Sequence, residues 1–283
     1  MKTLFSAADL LAATRGPCPP TLLDCSFELS DPDAAERAWR QGHLPGSQYL
    51  HLDRDLAGAR HDGAGRFLGR HPLPERGVFA QRLGQLGIVP ESAVVCFDAQ
   101  GGPYASRAWW LLRWMGHADV AVLDGGVAAW REAGGALVAE RATPGTAPPY
   151  PSRPPALPTI DAEALLARLG RTRLIDARAG ERFRGEVEPL DKAAGHIPGA
   201  RNRFFKDNLA PDGRFKSATL LRAEWLPLLA GHDATELVQQ CGSGVTACHN
   251  LLALAHAGLG DSVLYPGSWS EWSADPARPQ AQD

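Results

Sequence analysis

No apolar run in the 283 residues approaches the roughly 20 needed to span a bilayer. The richest stretch, Ala108-Trp-Trp-Leu-Leu-Arg-Trp-Met115, carries Arg113 in its middle, so no membrane partner is expected. An excess of one charge is missing as well. The 29 basic and 32 acidic residues leave a formal net charge of -3, too balanced for a nucleic-acid clamp. Cysteines at metal-clip spacing are also lacking. The five present (18, 25, 96, 241 and 248) are odd in number, and Cys18 to Cys25 and Cys241 to Cys248 each leave six residues between the sulfurs. Neither a disulfide framework nor a structural metal site is expected, and a reducing cytoplasm fits best. The N-terminus lacks the marks of a secretory leader, because Asp9 interrupts its apolar segment and no small-residue cleavage site follows before Arg15. Ser6-Ala-Ala-Asp9 reads instead as a helix start with the serine as cap. What remains, 44% hydrophobic and 22% charged, suffices for one or two ordinary globular cores.

The chain is written twice, a feature to be sought before any single motif is interpreted. Gly42-His-Leu-Pro-Gly-Ser47 recurs as Gly195-His-Ile-Pro-Gly-Ala200. Each follows a short apolar strand ending in aspartate, Leu22-Leu-Asp24 and Leu174-Ile-Asp176, and each precedes a second buried strand, at 93–97 and 236–240. The copies also close alike, with Leu123-Asp-Gly-Gly-Val-Ala-Ala-Trp130 answering Tyr265-Pro-Gly-Ser-Trp-Ser-Glu-Trp272. A proline-rich stretch over 142–158 excludes helix and reads as a stiff connector between a first domain (1–141) and a second (159–283). Within each copy, short Val/Ile/Leu runs alternate with amphipathic stretches at 73–87, 106–116, 161–170 and 245–258. That alternation predicts an α/β fold, each domain a mainly parallel sheet flanked by helices.

Sheets of this kind place their chemistry beyond the carboxyl ends of the strands. There the second copy reads Cys241-Gly-Ser-Gly-Val-Thr-Ala247. Two glycines within four residues let the backbone curl so that successive amides converge, and the following helix adds its positive end. Such a cradle favours a thiolate and poises Cys241 as a nucleophile, provided a donor can reach the sulfur. The first copy has Asp98 at the corresponding position and a longer loop, so only the second copy is expected to be catalytic. Cys18, Cys25, Cys96 and Cys248 read as packing.

The repeat, the Gly-His-x-Pro-Gly motif in both halves, the single loop cysteine and the closing Gly-Ser-Trp-Ser-Glu-Trp together resemble the two-domain rhodanese superfamily of sulfurtransferases over nearly the whole chain. Within it, the 241–247 loop is similar to that of 3-mercaptopyruvate sulfurtransferases, whereas thiosulfate sulfurtransferases carry basic residues after the cysteine. The resemblance implies two tandem rhodanese-like domains and a persulfide on Cys241. The sulfur comes from a small donor and passes to cyanide, a small thiol or reduced thioredoxin. No metal or organic cofactor is implied. Gly242, Gly244, Val245, Thr246 and Ala247 would contact the donor, and Arg182 would grip its anionic end through a bidentate guanidinium.

The resemblance also implies a relay in which Ser243, His71 and Asp53 move a proton as the pyruvate enolate leaves, drawing on residues of both copies. Arg184 is a further candidate by spacing. The family's second arginine, nine residues after the first, is replaced here by Asp191, and Lys192 is the nearest cation that would substitute. His51 and His61 read as exposed loop residues, and His43 and His196 as fold-stabilising. Trp130 and Trp272 read as packing, while Trp269 and Ser268 are candidates for a pocket wall. The alternative donor is thiosulfate, although its dianion would gain more from a cationic loop than Gly242 and Ser243 offer. Phosphoryl transfer is disfavoured because the arginine it needs six positions after the cysteine is Ala247. A purely sulfur-carrying or binding module would show a damaged loop, and this one is intact.

Overall fold

The computed structural model describes residues 2–140 and 145–282. It resolves into two compact units: one comprises Met1–Ala57, Pro74–Ala156 and Pro211–Arg214, the other Gly58–Leu73, Leu157–Ala210 and Phe215–Asp283. The boundary expected at 141 and the first connector residues, 142–144, lie outside the described residues. The rest of the proline-rich stretch, up to Ala156, packs with the first unit. The Ala147 amide donates to the Gly84 carbonyl (2.8 Å) and that of Tyr150 to the Ala80 carbonyl (2.9 Å).

The first unit contains β1 (Leu4–Phe5), α1 (Ala7–Ala13), β2 (Thr21–Asp24), α2 (Ala34–Gln41), β3 (Gln48–Tyr49), α3 (Leu52–Asp55), α4 (Arg76–Gln85), β4 (Val94–Phe97), α5 (Pro103–Trp114), β5 (Val120–Leu123) and α6 (Gly126–Glu132). Its sheet runs β1-β5-β4-β2-β3, parallel throughout. Every residue of β4 and β5 is buried, as befits strands covered on both faces. Ser6 caps α1 as its sequence suggested, accepting from the Asp9 amide at 3.1 Å. Trp130 packs with Leu10, Leu22, Leu44, Val95, Phe97 and Leu123 in the core.

The second unit contains α7 (Ala162–Leu166), β6 (Arg173–Asp176), α8 (Gly180–Phe183), β7 (Arg201–Asn202), α9 (Ala218–Leu229), β8 (Leu237–Gln240), α10 (Ala247–His256), β9 (Val263–Leu264) and α11 (Ser268–Trp272). The sheet order β7-β6-β8-β9 repeats the first unit's, again parallel, and the strand corresponding to β1 shrinks to one bridge between Thr159 and Leu264. Trp269 and Trp272, both fully buried, join Leu165, Leu174, Ile197, Val238 and Tyr265 in its core.

The paired histidines hold turns, as expected. His43 Nδ1 lies 2.7 Å from the Trp39 carbonyl, and His196 Nδ1 lies 2.9 Å from that of Phe183 while its ring stacks on the phenyl. Three expectations fail. Cys18 is exposed, because the flanking prolines hold it in a surface loop. His51 is buried, because its Nδ1 caps α3 by accepting from the Asp53 and Arg54 amides. Trp269 is a core residue, not a pocket wall, with its indole N–H on the Ala193 carbonyl.

Candidate active site

The central strand β8 ends at Gln240, and the loop Cys241–Thr246 carries the chain into α10. The closing motif of the second copy clamps this loop. The Trp269 amide donates to the Cys241 carbonyl (3.0 Å), the Ser270 amide to the Gly242 carbonyl (2.9 Å), and the Cys241 amide to Ser268 Oγ (3.1 Å). Gly244 has φ +76° and faces the Pro266 carbonyl so closely that a β-carbon would collide with it. With its outward carbonyls occupied, the loop keeps its amides for another purpose. Among the described residues, those of Gly242, Ser243, Val245, Thr246 and Ala247 find no acceptor in the protein.

The first unit shows what such a loop does when its nucleophile is replaced. The carboxylate of Asp98 accepts from the amides of Gln100 (2.9 Å), Gly102 (2.8 Å), Tyr104 (2.9 Å) and Ala105 (2.9 Å). An internal carboxyl group therefore fills the cradle. Burial pushes the Asp98 carboxyl up while the four amides favour its anion. The strands leading to the two loops differ too. Asp176 is gripped by Arg178 through Nε and Nη2 (2.7–3.1 Å), whereas Asp24, with Ser26 in the corresponding place, is pushed up to about 6 by burial against that hydrogen bond.

Residues 58–73 precede the second copy in sequence but pack within the second unit. The pairing of His71 with Ser243 is thus internal to that unit. His71 Nδ1 lies 2.8 Å from Ser243 Oγ, and both side chains are buried. The strap is seated on the clamp that holds the cysteine loop. Gly69 (φ +102°) would place a β-carbon 2.8 Å from the Gly267 carbonyl, and the Arg70 amide donates to Ser270 Oγ at 3.1 Å. Asp53 belongs to the first unit, on α3, with its amide on His51.

Arg182, on α8, approaches the loop as expected, and it has a companion that the sequence reading missed. A methyl group placed on Gly242 would lie 3.5 Å from Arg182 Nη1 and 2.9 Å from Arg70 Nη2. Arg182 Nη2 bonds Glu188 (2.6 and 2.9 Å) and Asp191 (3.2 Å), and Asp191 also pairs closely with Arg70 Nη1. Since Glu188 meets Arg178 as well (3.4 Å), the charges alternate from strand to loop: Asp176, Arg178, Glu188, Arg182, Asp191, Arg70. Burial pushes the Asp191 carboxyl up and draws the Arg70 guanidinium down, and their ion pair opposes both shifts. The sequence did offer one signal: Arg70 adjoins His71.

Two candidates are not brought to the loop. Arg184 is exposed, with its guanidinium on Glu186 at 2.7 and 3.1 Å. Lys192 is exposed, and the place beside Arg182 where it would have acted is taken by Arg70. The sulfur itself is not open to solvent: Cys241 is only 1% exposed, and Thr246 alone among residues 241–247 is half-buried. Among the described residues, no cluster of side chains suits a metal ion, and no helix is long and apolar enough to cross a membrane.

Fold and site together define a tandem α/β protein with one cysteine loop that leaves the amides of Gly242, Ser243, Val245, Thr246 and Ala247 without an acceptor, and one loop filled by its own carboxyl group. The rhodanese-like domain family matches residues 6–133 and again 161–275, and the chain belongs to that family. A probable 3-mercaptopyruvate sulfurtransferase of Pseudomonas aeruginosa is 47% identical over 279 residues, covering 97% of this chain and 96% of its own length. The thiosulfate sulfurtransferase of Cricetulus griseus is 33% identical over 291 residues, covering 96% and 91%. Among solved structures, a 3-mercaptopyruvate sulfurtransferase from Leishmania major matches with a TM-score of 0.83 at 29% identity, over 96% of this chain and 74% of that one.

Proposed function

We propose that this chain is a sulfurtransferase that takes sulfur from 3-mercaptopyruvate onto Cys241 and passes it to a small thiol, reduced thioredoxin or cyanide. The observation that carries the reading is the buried 2.8 Å pair of His71 and Ser243 beside the cysteine loop. Thiosulfate transfer needs no proton relay, whereas mercaptopyruvate leaves an enolate that must be protonated. The Cys241 thiolate attacks the donor's thiol sulfur, so an S–S bond forms as the C–S bond breaks and the electron pair goes to the departing enolate. Ser243, backed by His71, passes the donor's thiol proton on to the enolate carbon, which makes pyruvate and leaves the persulfide as an anion. The loop amides hold the sulfur anion before transfer and the persulfide after it. An acceptor thiolate then attacks the outer sulfur and regenerates the Cys241 thiolate.

Charge supports the same donor. Two guanidiniums near the loop are matched by the carboxylates of Glu188 and Asp191, a balance better suited to one carboxylate than to a dianion. The carboxylate role of Asp53 rests on the resemblance alone. Burial of Cys241 keeps the persulfide out of bulk water. Cytoplasmic placement is supported by all five cysteines being free thiols.

The test is mass spectrometry after donor treatment. A gain of one sulfur atom from mercaptopyruvate, lost in Cys241→Ser, is expected. Loading by thiosulfate alone would replace the donor, and no loading by either would overturn the enzyme reading.

A further inference from the structure

We infer that Arg70 is a donor-binding residue, a second guanidinium supplied by the 58–73 strap and aimed at the cysteine loop by Asp191. The inference rests on the sulfurtransferase reading and adds to it the residue that holds the far side of the donor's anionic group. At position 191, where the resemblance leads one to expect arginine, a carboxylate stands instead. That carboxylate is buried, and it spends its two oxygens on two arginines: Oδ1 on Arg70 Nη1 and Oδ2 on Arg182 Nη2. It thus acts as a spacer that sets the two guanidiniums side by side.

Three features fix Arg70 in that place. Its backbone amide is tied to Ser270 Oγ, on the same turn whose amides clamp Cys241 and Gly242. Its neighbours on either side are seated as well, Gly69 against Gly267 and His71 on Ser243. Its Nη1 is committed to Asp191, while Nη2 lies nearer the space a β-carbon on Gly242 would take than any atom of Arg182 does. A guanidinium held by one edge keeps its other N–H groups for a ligand, and a carboxylate can span two such groups. Position 191 supplies no cation, and the strap supplies one from 121 residues away.

The experiment compares steady-state kinetics of the full chain with those of Arg70→Gln, which keeps a covering side chain without the charge. A third protein carries Arg70→Gln together with Asp191→Arg, which places the cation at position 191 instead. With mercaptopyruvate, Arg70→Gln is expected to raise KM about 10- to 100-fold with kcat changed far less, the signature of lost ground-state binding. The double variant is expected to recover most of the lost kcat/KM, which a merely structural role would not produce. An unchanged KM in Arg70→Gln, or a double variant that melts like the unaltered chain yet recovers nothing, would overturn the inference. Should Arg70→Gln fail to fold, Arg70→Lys decides: the charge without the fork should give an intermediate KM, and a wild-type KM counts against the proposal. If the unaltered chain loads only from thiosulfate, the donor reading fails separately. The same KM contrast is then read with thiosulfate, a rise supporting Arg70 and no change refuting it.

Discussion

His71 Nδ1 and Ser243 Oγ, 172 residues apart in sequence, meet at 2.8 Å in a buried setting within the second unit. A serine so placed has its hydroxyl oriented by the ring, and the ring is kept from water. Proton delivery at a fixed point is the chemistry that such a pair supplies, and general acid–base groups contribute roughly 10²–10⁴-fold in rate.

Removing either partner should therefore discriminate between donors. Ser243→Ala and His71→Ala are each expected to lower kcat with mercaptopyruvate by about 100-fold or more, and to leave thiosulfate turnover within a fewfold. Parallel assays with both donors check this. Equal losses with the two would remove the relay and leave the pair a purely structural contact.

The burial of Cys241 has a kinetic consequence of its own. Cys18 is exposed and Cys241 is 1% exposed, so a bulky maleimide should label Cys18 at least about tenfold faster, access being a requirement of thiol reactivity. Peptide mapping after timed labelling gives the ratio. Comparable rates would mean that the loop sulfur is open in solution.

In the first unit, Asp98 serves four amides at once. Asp98→Ala strands those donors in the interior and should cost on the order of 3–5 kcal/mol of stability, with Asp98→Asn costing less because one acceptor oxygen remains. Thermal melting would register the loss, and sulfur loading per folded molecule should be unchanged. A native melting temperature in Asp98→Ala would show that the amides find other acceptors.

Stability should also depend on pH through Asp24. Burial raises this carboxyl from 3.8 to about 6, so the folded state favours its neutral form. The stabilisation is complete below pH 3.8 and is lost as the pH rises through about 6. Asp24→Asn, which stays neutral, should be more stable than the unaltered chain at pH 8, by on the order of 2–4 kcal/mol. The difference should vanish near pH 4. Denaturant melts at the two pH values test it, and an equal difference at both would assign the effect to packing.

Much of this protein could be read along the chain because the signals are local. Runs such as 94–97 and 237–240 announce strands buried on both faces, and the doubled Gly-His-x-Pro-Gly announces two similar units. Two glycines around Ser243 mark the turn that presents Cys241. Trp269 was misread because its neighbours Ser268 and Ser270 do serve the loop; their hydroxyl and backbone contacts leave the indole in the core. His51 was misread because a cap looks like any other loop residue until the helix after it is seen.

Order along the chain thus determined the class of fold, the strand that carries the nucleophile and the cysteine itself, since periodicity and glycine placement act over a few residues. Tertiary structure alone decided which charges face that cysteine. Asp191 reads as a lost arginine until the path of the chain brings Arg70 to it across 121 positions, and Asp98 reads as a missing nucleophile until its carboxylate is found among four amides. Electrostatic partners are chosen by distance in space, and no local pattern encodes that distance.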